Sequence, residues 1–423
     1  LNFYDYINNL SNIFNKESFM STISKNKPCS FIKNLEFYTI KRIKDMGSHP
    51  SEDHLNKLLE LFKQDLSIDL KREIASSIGR QLDDDIIYNF LKQEAFKEHY
   101  MEVVYQFLRT ALYKSKDMRF AKLCDDLLQY YQNENMQKMK QYYDYRHTKK
   151  PPLKIIENII KKPSLLIGDN AQTLNKIVPN SINLIFTSPP YYNARIYSDY
   201  KNYKDYLNAM SQSLKACFRV LEEGRFIIIN VSPVITKRAG REFESVRYPI
   251  HFDFHQILID NGFYFVDEIL WIKPDFSVPN RIGGYLQNKK PLGYKPNCVS
   301  ESLLVYRKKA PFLLDKNIKI AEKRLKPSKQ NNTLFGKKEL PIETTNCWYI
   351  TPKSSKDHPA VFPESLCERV LNYYSFENEV VCDPFAGSGT FGMVAKSMGR
   401  IPLLCEQHPK YAQNLIKLGF KEI

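Results

Sequence analysis

No apolar run in the chain approaches the roughly 20 residues needed to cross a bilayer. The first residues, "LNFYDYINNLSNIFNKESF", lack both the basic and the apolar portions of a secretory leader, so a cytoplasmic location without membrane contact is expected. The eight cysteines, Cys29, Cys124, Cys217, Cys298, Cys347, Cys367, Cys382 and Cys405, form no C-x-x-C pair. Several sit in apolar runs such as "VVCDP" and "LLCEQ". They are expected to be reduced core thiols, and no metal site is expected. The triphosphate-binding signature is missing too, because no Gly-rich turn ends in G-K-[ST].

What is present begins with size and charge. A chain of 423 residues, 43% of them hydrophobic and 26% charged, fits two or three soluble domains. The net charge of +15 is unevenly placed. Residues 1–150 carry 24 Lys+Arg against 21 Asp+Glu, whereas residues 273–356 carry 18 against 6. A segment holding +12 of the total points to a polyanionic partner such as nucleic acid rather than to a merely solvated face.

Two textures divide the chain. From about Ser51 to Tyr131, stretches such as "HLNKLLELFKQDL" and "FAKLCDDLLQYY" carry helical periodicity with almost no Gly or Pro, which predicts an all-helical block. Two of its segments, "SIDLKREIASSIGRQL" and "EHYMEVVYQFLRTAL", lie about 32 residues apart with Arg72 and Arg109 in similar settings. They faintly resemble a HEAT-type repeat, and a plain bundle fits equally well. "KMKQYYDYRHTKKPPLK" reads as a linker. Beyond it, short apolar strands ("SLLIGD", "INLIFTS", "GRFIIINVS", "YFVDEILWIKP") alternate with helices, as in an α/β sheet. The alternation lapses at about 274–355, the basic segment, and resumes with "PESLCERVLNYYS", "EVVCDPF" and "RIPLLCEQ".

Two motifs carry chemistry. "EVVCDPFAGSGTFGMVAKSMGRIPLLCEQ" runs strand, Gly-containing turn, helix, strand and acidic residue. Ala386, Gly387 and Gly389 permit close backbone approach, and Glu406 can accept hydrogen bonds from ribose hydroxyls. This is the order of a nucleoside site, with a purely structural turn as the alternative. The second motif, "INLIFTSPPYYN", stops a core strand at two prolines. Prolines have fixed φ and no backbone donor, so their carbonyls stand as acceptors at the strand end. Ser188 and the Pro189 carbonyl can take both hydrogens of an exocyclic base amine, with Tyr191 stacking on a base flipped from its duplex. The alternative is a Pro-Pro loop end with a surface tyrosine pair.

Together "TSPPYY" and "DPFAGSGT", in this order and separated by a basic segment, resemble the amino-methylating DNA methyltransferases of bacterial restriction-modification systems, in the beta-group order. The resemblance covers about residues 160–423 and continues through "LLIGDNAQTL", "LKACFRVLEEGRFIIINV", "DEILWIKP" and "HPAVFPESL". It implies an S-adenosylmethionine site lined by Asp383, Phe385, Gly387 and Gly389. Glu406 would hold the ribose, Asp169 the adenine amine, and His358, Pro359 and Pro363 would border the methionine end. It also implies a catalytic pocket of Ser188, Pro189, Pro190 and Tyr191 that transfers methyl directly to an exocyclic amine, without a covalent enzyme intermediate. Serine before Pro-Pro resembles the cytosine-N4 group, and aspartate there the adenine-N6 group. A cytosine-C5 route would need a Pro-Cys nucleophile, and Pro28-Cys29 lies outside the α/β region.

The expected fold is therefore an α/β, Rossmann-like methyltransferase sheet with an inserted DNA recognition region and an N-terminal helical domain. Expected boundaries are 1–140 for the helical domain, 141–154 for a linker, 155–273 for the catalytic part, 274–355 for the insert and 356–423 for the cofactor part. Lys289, Lys290, Arg307, Lys308, Lys309, Lys323 and Arg324 are expected to contact phosphates of double-stranded DNA. A cognate restriction endonuclease acting on the same site is the partner that the resemblance implies. A non-catalytic DNA-binding protein of the same fold and an RNA methyltransferase are the competing readings.

Overall fold

In a computed structural model of the chain, the described residues are 39–148, 160–192, 200–235, 240, 242–243, 246–278, 298–324, 343–352 and 362–423. They fall into two compact units, Leu1–Lys150 and Pro151–Ile423.

The first unit is helical: α1 (residues 39–48), α2 (Glu52–Phe62), α3 (Ile68–Ile78), α4 (Asp84–Glu94), α5 (Met101–Tyr113), α6 (Met118–Tyr131) and α7 (Glu134–His147). Five of these helices begin at a short polar residue, Ser51, Ser67, Asp83, Asp117 or Asn133, whose side chain accepts a backbone N–H of the first turn. Such caps are each worth about 1 kcal/mol and fix where a helix starts. α3 packs against α2 and α5, α5 also against α6 and α7, and α4 against α6. The α3–α5 approach depends on Gly79, since a Cβ there would lie 2.1 Å from Thr110 Oγ1. These two helices are the pair of similar segments seen in the sequence. The linker expected from residue 141 begins later, because α7 continues through His147.

The second unit is built on a sheet. Its strands are β1 (Ser164–Ile167), β2 (Ile182–Thr187), β3 (Leu221–Val231), β6 (Phe263–Ile272), β7 (Ser300–Lys308), β8 (Cys347–Tyr349), β9 (Val380–Asp383), β10 (Ile401–Glu406) and β11 (Lys421–Glu422), and β4 (Val234–Ile235) and β5 (Arg247–Tyr248) form a separate ribbon. The helices are α8 (Asn170–Thr173), α9 (Tyr203–Val220), α10 (Ile250–Asp260), α11 (Leu314–Arg324), α12 (Glu364–Tyr374), α13 (Thr390–Ser397) and α14 (Pro409–Lys417). The sheet order is β11-β1-β10-β9-β2-β3-β7-β6-β8. Every ladder is parallel except those of β7, which runs against both β3 and β6.

All six residues of β2 are buried. The period of two in a strand sends Ile185 to one face, with α9 and α10, and Leu184 and Phe186 to the other, with α12 and α13. Burial on both faces explains why β2 reads as a continuous apolar run rather than an alternating one. From β2 the chain builds outward through β3, and from β9 it builds the opposite way through β10. The adjacent ends of β2 and β9 are thus the switch point, where open α/β sheets form their ligand crevice.

One expectation is corrected here. The segment 274–355 is not a single insert outside the sheet, because Ser300–Lys308 is an interior strand, hydrogen-bonded on both sides, and Cys347–Tyr349 pairs with β6. Its Lys/Arg content hid the strand, because Arg307 and Lys308 are buried cations.

Below the sheet a buried ion pair ties three strands together. Arg225 donates to the Glu379 carboxylate and, through Nε, to the Asn183 carbonyl at 2.8 Å, while Glu379 also accepts the Phe376 N–H at 2.8 Å. Arg225→Met should strand the buried carboxylate and lower the unfolding free energy by about 3–5 kcal/mol in urea denaturation. The double variant Arg225→Met/Glu379→Leu should recover most of that loss. A double variant as unstable as the single one would contradict this role for the pair.

Candidate active site

The two motifs met in the sequence converge at the switch point. Thr187 and Asp383 end adjacent parallel strands, and Thr187 Oγ1 donates to Asp383 Oδ1 at 2.6 Å. The same oxygen accepts the Phe385 N–H at 3.0 Å. Asp383 is buried, and burial, reinforced by the charge of Glu406, pushes its carboxyl up to about 7.

Beyond Asp383 the chain turns through Gly387 (φ +52°) and Gly389 (φ +79°) into α13. Gly389 is also demanded by packing, since a Cβ there would lie 2.3 Å from Leu415 Cδ2. Four of the turn's amides are engaged within the protein. Phe385 N–H goes to Asp383, Ala386 N–H to the Cys405 carbonyl, Gly387 N–H to Glu406 Oε2 at 2.8 Å, and Gly389 N–H to the Ala386 carbonyl.

Acceptors are plentiful instead. Glu406 Oε1 takes the His408 N–H at 2.7 Å, and burial raises the Glu406 carboxyl. Asp169 caps α8 through Ala171 N–H at 3.0 Å. Next to it, Asn170 Nδ2 donates to the Pro384 carbonyl at 2.7 Å, while its Oδ1 is buried without a partner. A cluster of carboxylates with an orphaned amide oxygen suits a ligand rich in hydroxyl and amine donors, as a nucleoside is, and not a polyphosphate.

On the neighbouring strand end, Ser188 Oγ donates to the Asn230 carbonyl at 3.1 Å. Its one proton is thus committed and its lone pairs are left to accept. Tyr191 OH donates to Glu301 Oε2 at 3.0 Å, and burial together with the Glu301 charge raises the phenol well above its ordinary value. Asn230 Nδ2 and Lys273 Nζ donate to the same Glu301 carboxylate.

Of the residues expected from sequence, Ser188, Pro189, Pro190, Tyr191, Asp169, Asp383, Phe385, Gly387, Gly389 and Glu406 gather at or beside the ends of β1, β2, β9 and β10. Pro363 caps α12, and the preceding Phe362 stacks on Phe186 with ring centroids 4.7 Å apart. His358, Pro359, Lys289 and Lys290 lie outside the described residues.

Three expected phosphate contacts are corrected. The buried guanidinium of Arg307 donates to the carbonyls of Gly224 and Phe312, to Tyr264 OH and to Asn317 Oδ1. Lys308 Nζ donates to Asn180 Oδ1 and to the carbonyls of Phe218 and Leu221, and burial brings it down to about 8. Arg324 pairs with Glu222 at 2.9 Å, both largely covered. These cations hold the sheet together. Lys309 and Lys323 are exposed. Sequence reasoning missed Thr187, Asn170, Asn230, Lys273 and Glu301. Lys273 stood in plain view in "WIKP", but nothing in the local spacing pointed to Glu301.

Residues 182–417 match a family model, N6_N4_Mtase, described as DNA methylase. The Type II beta methyltransferase M.BslI of Bacillus sp. (strain NEB-606) is 27% identical over 261 residues, 59% of this chain and 26% of that protein. The chain thus spans about a quarter of that relative's length. The Type II methyltransferase M.HpaI of Haemophilus parainfluenzae is 30% identical over 256 residues, 59% of this chain and 71% of that protein. Among solved structures, the PvuII DNA methyltransferase (cytosine-N4-specific) is 20% identical with a TM-score of 0.44, over 60% of this chain and 87% of that one.

The raised Asp383 carboxyl has a consequence for stability. A carboxyl whose folded value, about 7, exceeds the ordinary value of about 3.9 binds its proton more tightly in the folded chain. Its contribution is fully present below about pH 4 and is lost as pH rises through about 7. Asp383→Asn keeps an acceptor for Thr187 and removes the titration. The melting temperature of the variant relative to wild type should therefore climb between about pH 5 and about pH 8. A pH-independent difference would mean that Asp383 is already ionised in the fold.

Proposed function

The chain belongs to the N6_N4_Mtase family of DNA methylases, and from that premise we propose that it is a site-specific methyltransferase that modifies the exocyclic N4 of cytosine in double-stranded DNA. S-adenosylmethionine is its cofactor and supplies a methyl group activated by a sulfonium centre. Asp383, Phe385, Gly387, Glu406, Asp169 and Asn170 form the acceptor-rich cradle that suits the adenosine part. His358, Pro359 and Pro363 remain the residues assigned to the methionine end.

The observation that carries the reading is the Ser188 hydroxyl. With its proton held by the Asn230 carbonyl, it faces a target amine as an acceptor, and the Pro189 carbonyl is the second acceptor. Two acceptors on one amino group draw its hydrogens aside and keep the nitrogen lone pair directed at the methyl donor. The protein's main contribution is then orientation of two bound reactants, an effect able to supply several kcal/mol of barrier lowering. Tyr191 offers its ring face to a base swung out of the duplex.

Serine at the head of the Pro-Pro motif favours cytosine over adenine-N6 as the target. Protection of host DNA beside a restriction endonuclease acting on the same site is the biological setting this reading carries, with a cytoplasmic location. Exposed Lys309 and Lys323, with Lys289 and Lys290, are proposed to contact DNA phosphates.

Ser188→Ala should lower the single-turnover methylation rate by about 10-fold to 1000-fold while S-adenosylmethionine binding, followed by calorimetry, stays within about twofold. Nucleoside mass spectrometry of the product should show N4-methylcytosine. N6-methyladenine would move the target to the alternative base, and full activity of Ser188→Ala would remove the hydroxyl from the mechanism.

A further inference from the structure

Pro189 and Pro190 contribute no backbone N–H, so the segment that must hold the target amine cannot be fixed by its own amide hydrogen bonds. Its position rests on the side chains at either end, Ser188 and Tyr191. Both lead to one carboxylate. Tyr191 OH donates to Glu301 Oε2 at 3.0 Å. Ser188 Oγ donates to the Asn230 carbonyl at 3.1 Å and lies 3.5 Å from Asn230 Nδ2, which itself donates to Glu301 Oε2.

The reversed strand makes this possible. Because β7 runs against its neighbours, its first residues arrive at the carboxyl ends of β3 and β6, where Val231 faces Ser302 and Trp271 faces Glu301. Lys273, just past β6, donates to Glu301 Oε1 and lies 4.4 Å from the Trp271 ring centroid. Side-chain exposure of Lys273 and Glu301 is 15% and 16%, so this ion pair is shielded well enough to matter more than a surface pair.

We propose that Glu301, balanced by Lys273, is the positioning residue of the methyl-transfer site: it fixes Tyr191 directly and Ser188 through Asn230. This rests on the methyltransferase reading of the same site. The chemistry requires a carboxylate. Three donors, a phenol, an amide and an ammonium, converge on Glu301, and only an ionised carboxyl accepts all of them without presenting a donor of its own. The negative charge also orients Asn230. Turning its amide over would set Oδ1 against the carboxylate, so Nδ2 stays on that side, where it also approaches Ser188 Oγ at 3.5 Å.

The test uses the full chain, unmodified phage DNA and radiolabelled S-adenosylmethionine under single-turnover conditions. Glu301→Gln should slow methyl transfer about 10-fold to 100-fold with cofactor affinity within about twofold of wild type. Tyr191→Phe should slow it through the same contact, and the double variant should be no slower than the worse single variant. Lys273→Arg should restore most of the rate lost in Lys273→Met. If Glu301→Gln has a lowered melting temperature, Tyr191→Phe, which loses a single oxygen, carries the comparison. Independent multiplication of the Glu301 and Tyr191 effects, or wild-type rates in both single variants, would overturn the inference while leaving the methyltransferase reading intact. A wild-type chain that transfers no methyl would remove that reading, and the inference with it.

Discussion

The hydrogen bond from Thr187 to Asp383 is the constraint on which the rest of this site depends. It joins the last residue of β2 to the last residue of β9, and everything with chemistry hangs from those two points. Ser188-Pro189-Pro190-Tyr191 leaves from one, and the Gly387–Gly389 turn leaves from the other. Any site bringing two ligands into contact needs its halves held in fixed relation, because misplacement of about 1 Å can cost about 100-fold in rate. Parallel pairing of β2 with β9 sets the relation coarsely, and the buried side-chain bond sets it finely. Its partners carry a cost, since a carboxyl desolvated at that depth is harder to ionise.

Two kinds of anchoring then divide the work. The Gly387–Gly389 turn is held by main chain: its Ala386, Gly387 and Gly389 amides are satisfied by Glu406 and by neighbouring carbonyls. The Ser188–Tyr191 side, proposed to be catalytic, lacks such means at Pro189 and Pro190, because proline removes the donors. There the side chains of Ser188, Tyr191, Asn230 and Glu301 replace the backbone, and the reversed β7 delivers the residue that collects them. A strand running with its neighbours would have placed its early residues at the opposite edge of the sheet. The antiparallel strand is thus part of the site's construction and not only of the fold's.

Much of this was legible in the sequence. The strand-turn-helix-strand order around Asp383 and Glu406, the stop at Pro189-Pro190 and the helical texture before residue 150 all follow from local rules of periodicity, caps and proline geometry. The misreadings share one physical cause. "LLVYRKKA" ends in three cations, and local reading assigns cations to solvent or to a polyanion. In the fold Arg307 and Lys308 are buried because carbonyls of α9 (Phe218), β3 (Leu221 and Gly224) and Phe312 converge on them. Glu301 escaped notice for the same reason. Its partners lie at Tyr191, Asn230 and Lys273, and only the sheet order brings them together.

That reassignment changes what the chain's charge can mean for a polyanion. Of the cations between 273 and 356, Lys273 faces Glu301, Arg307 and Lys308 face carbonyls, and Arg324 faces Glu222. A cation whose donors are already engaged in the interior cannot displace counterions from a phosphate backbone, so these four add to net charge without adding to the salt dependence of binding. The excess that remains includes exposed Lys309 and Lys323 and the runs around Lys289-Lys290 and Lys337-Lys338. Those runs flank β7 in the sequence on either side.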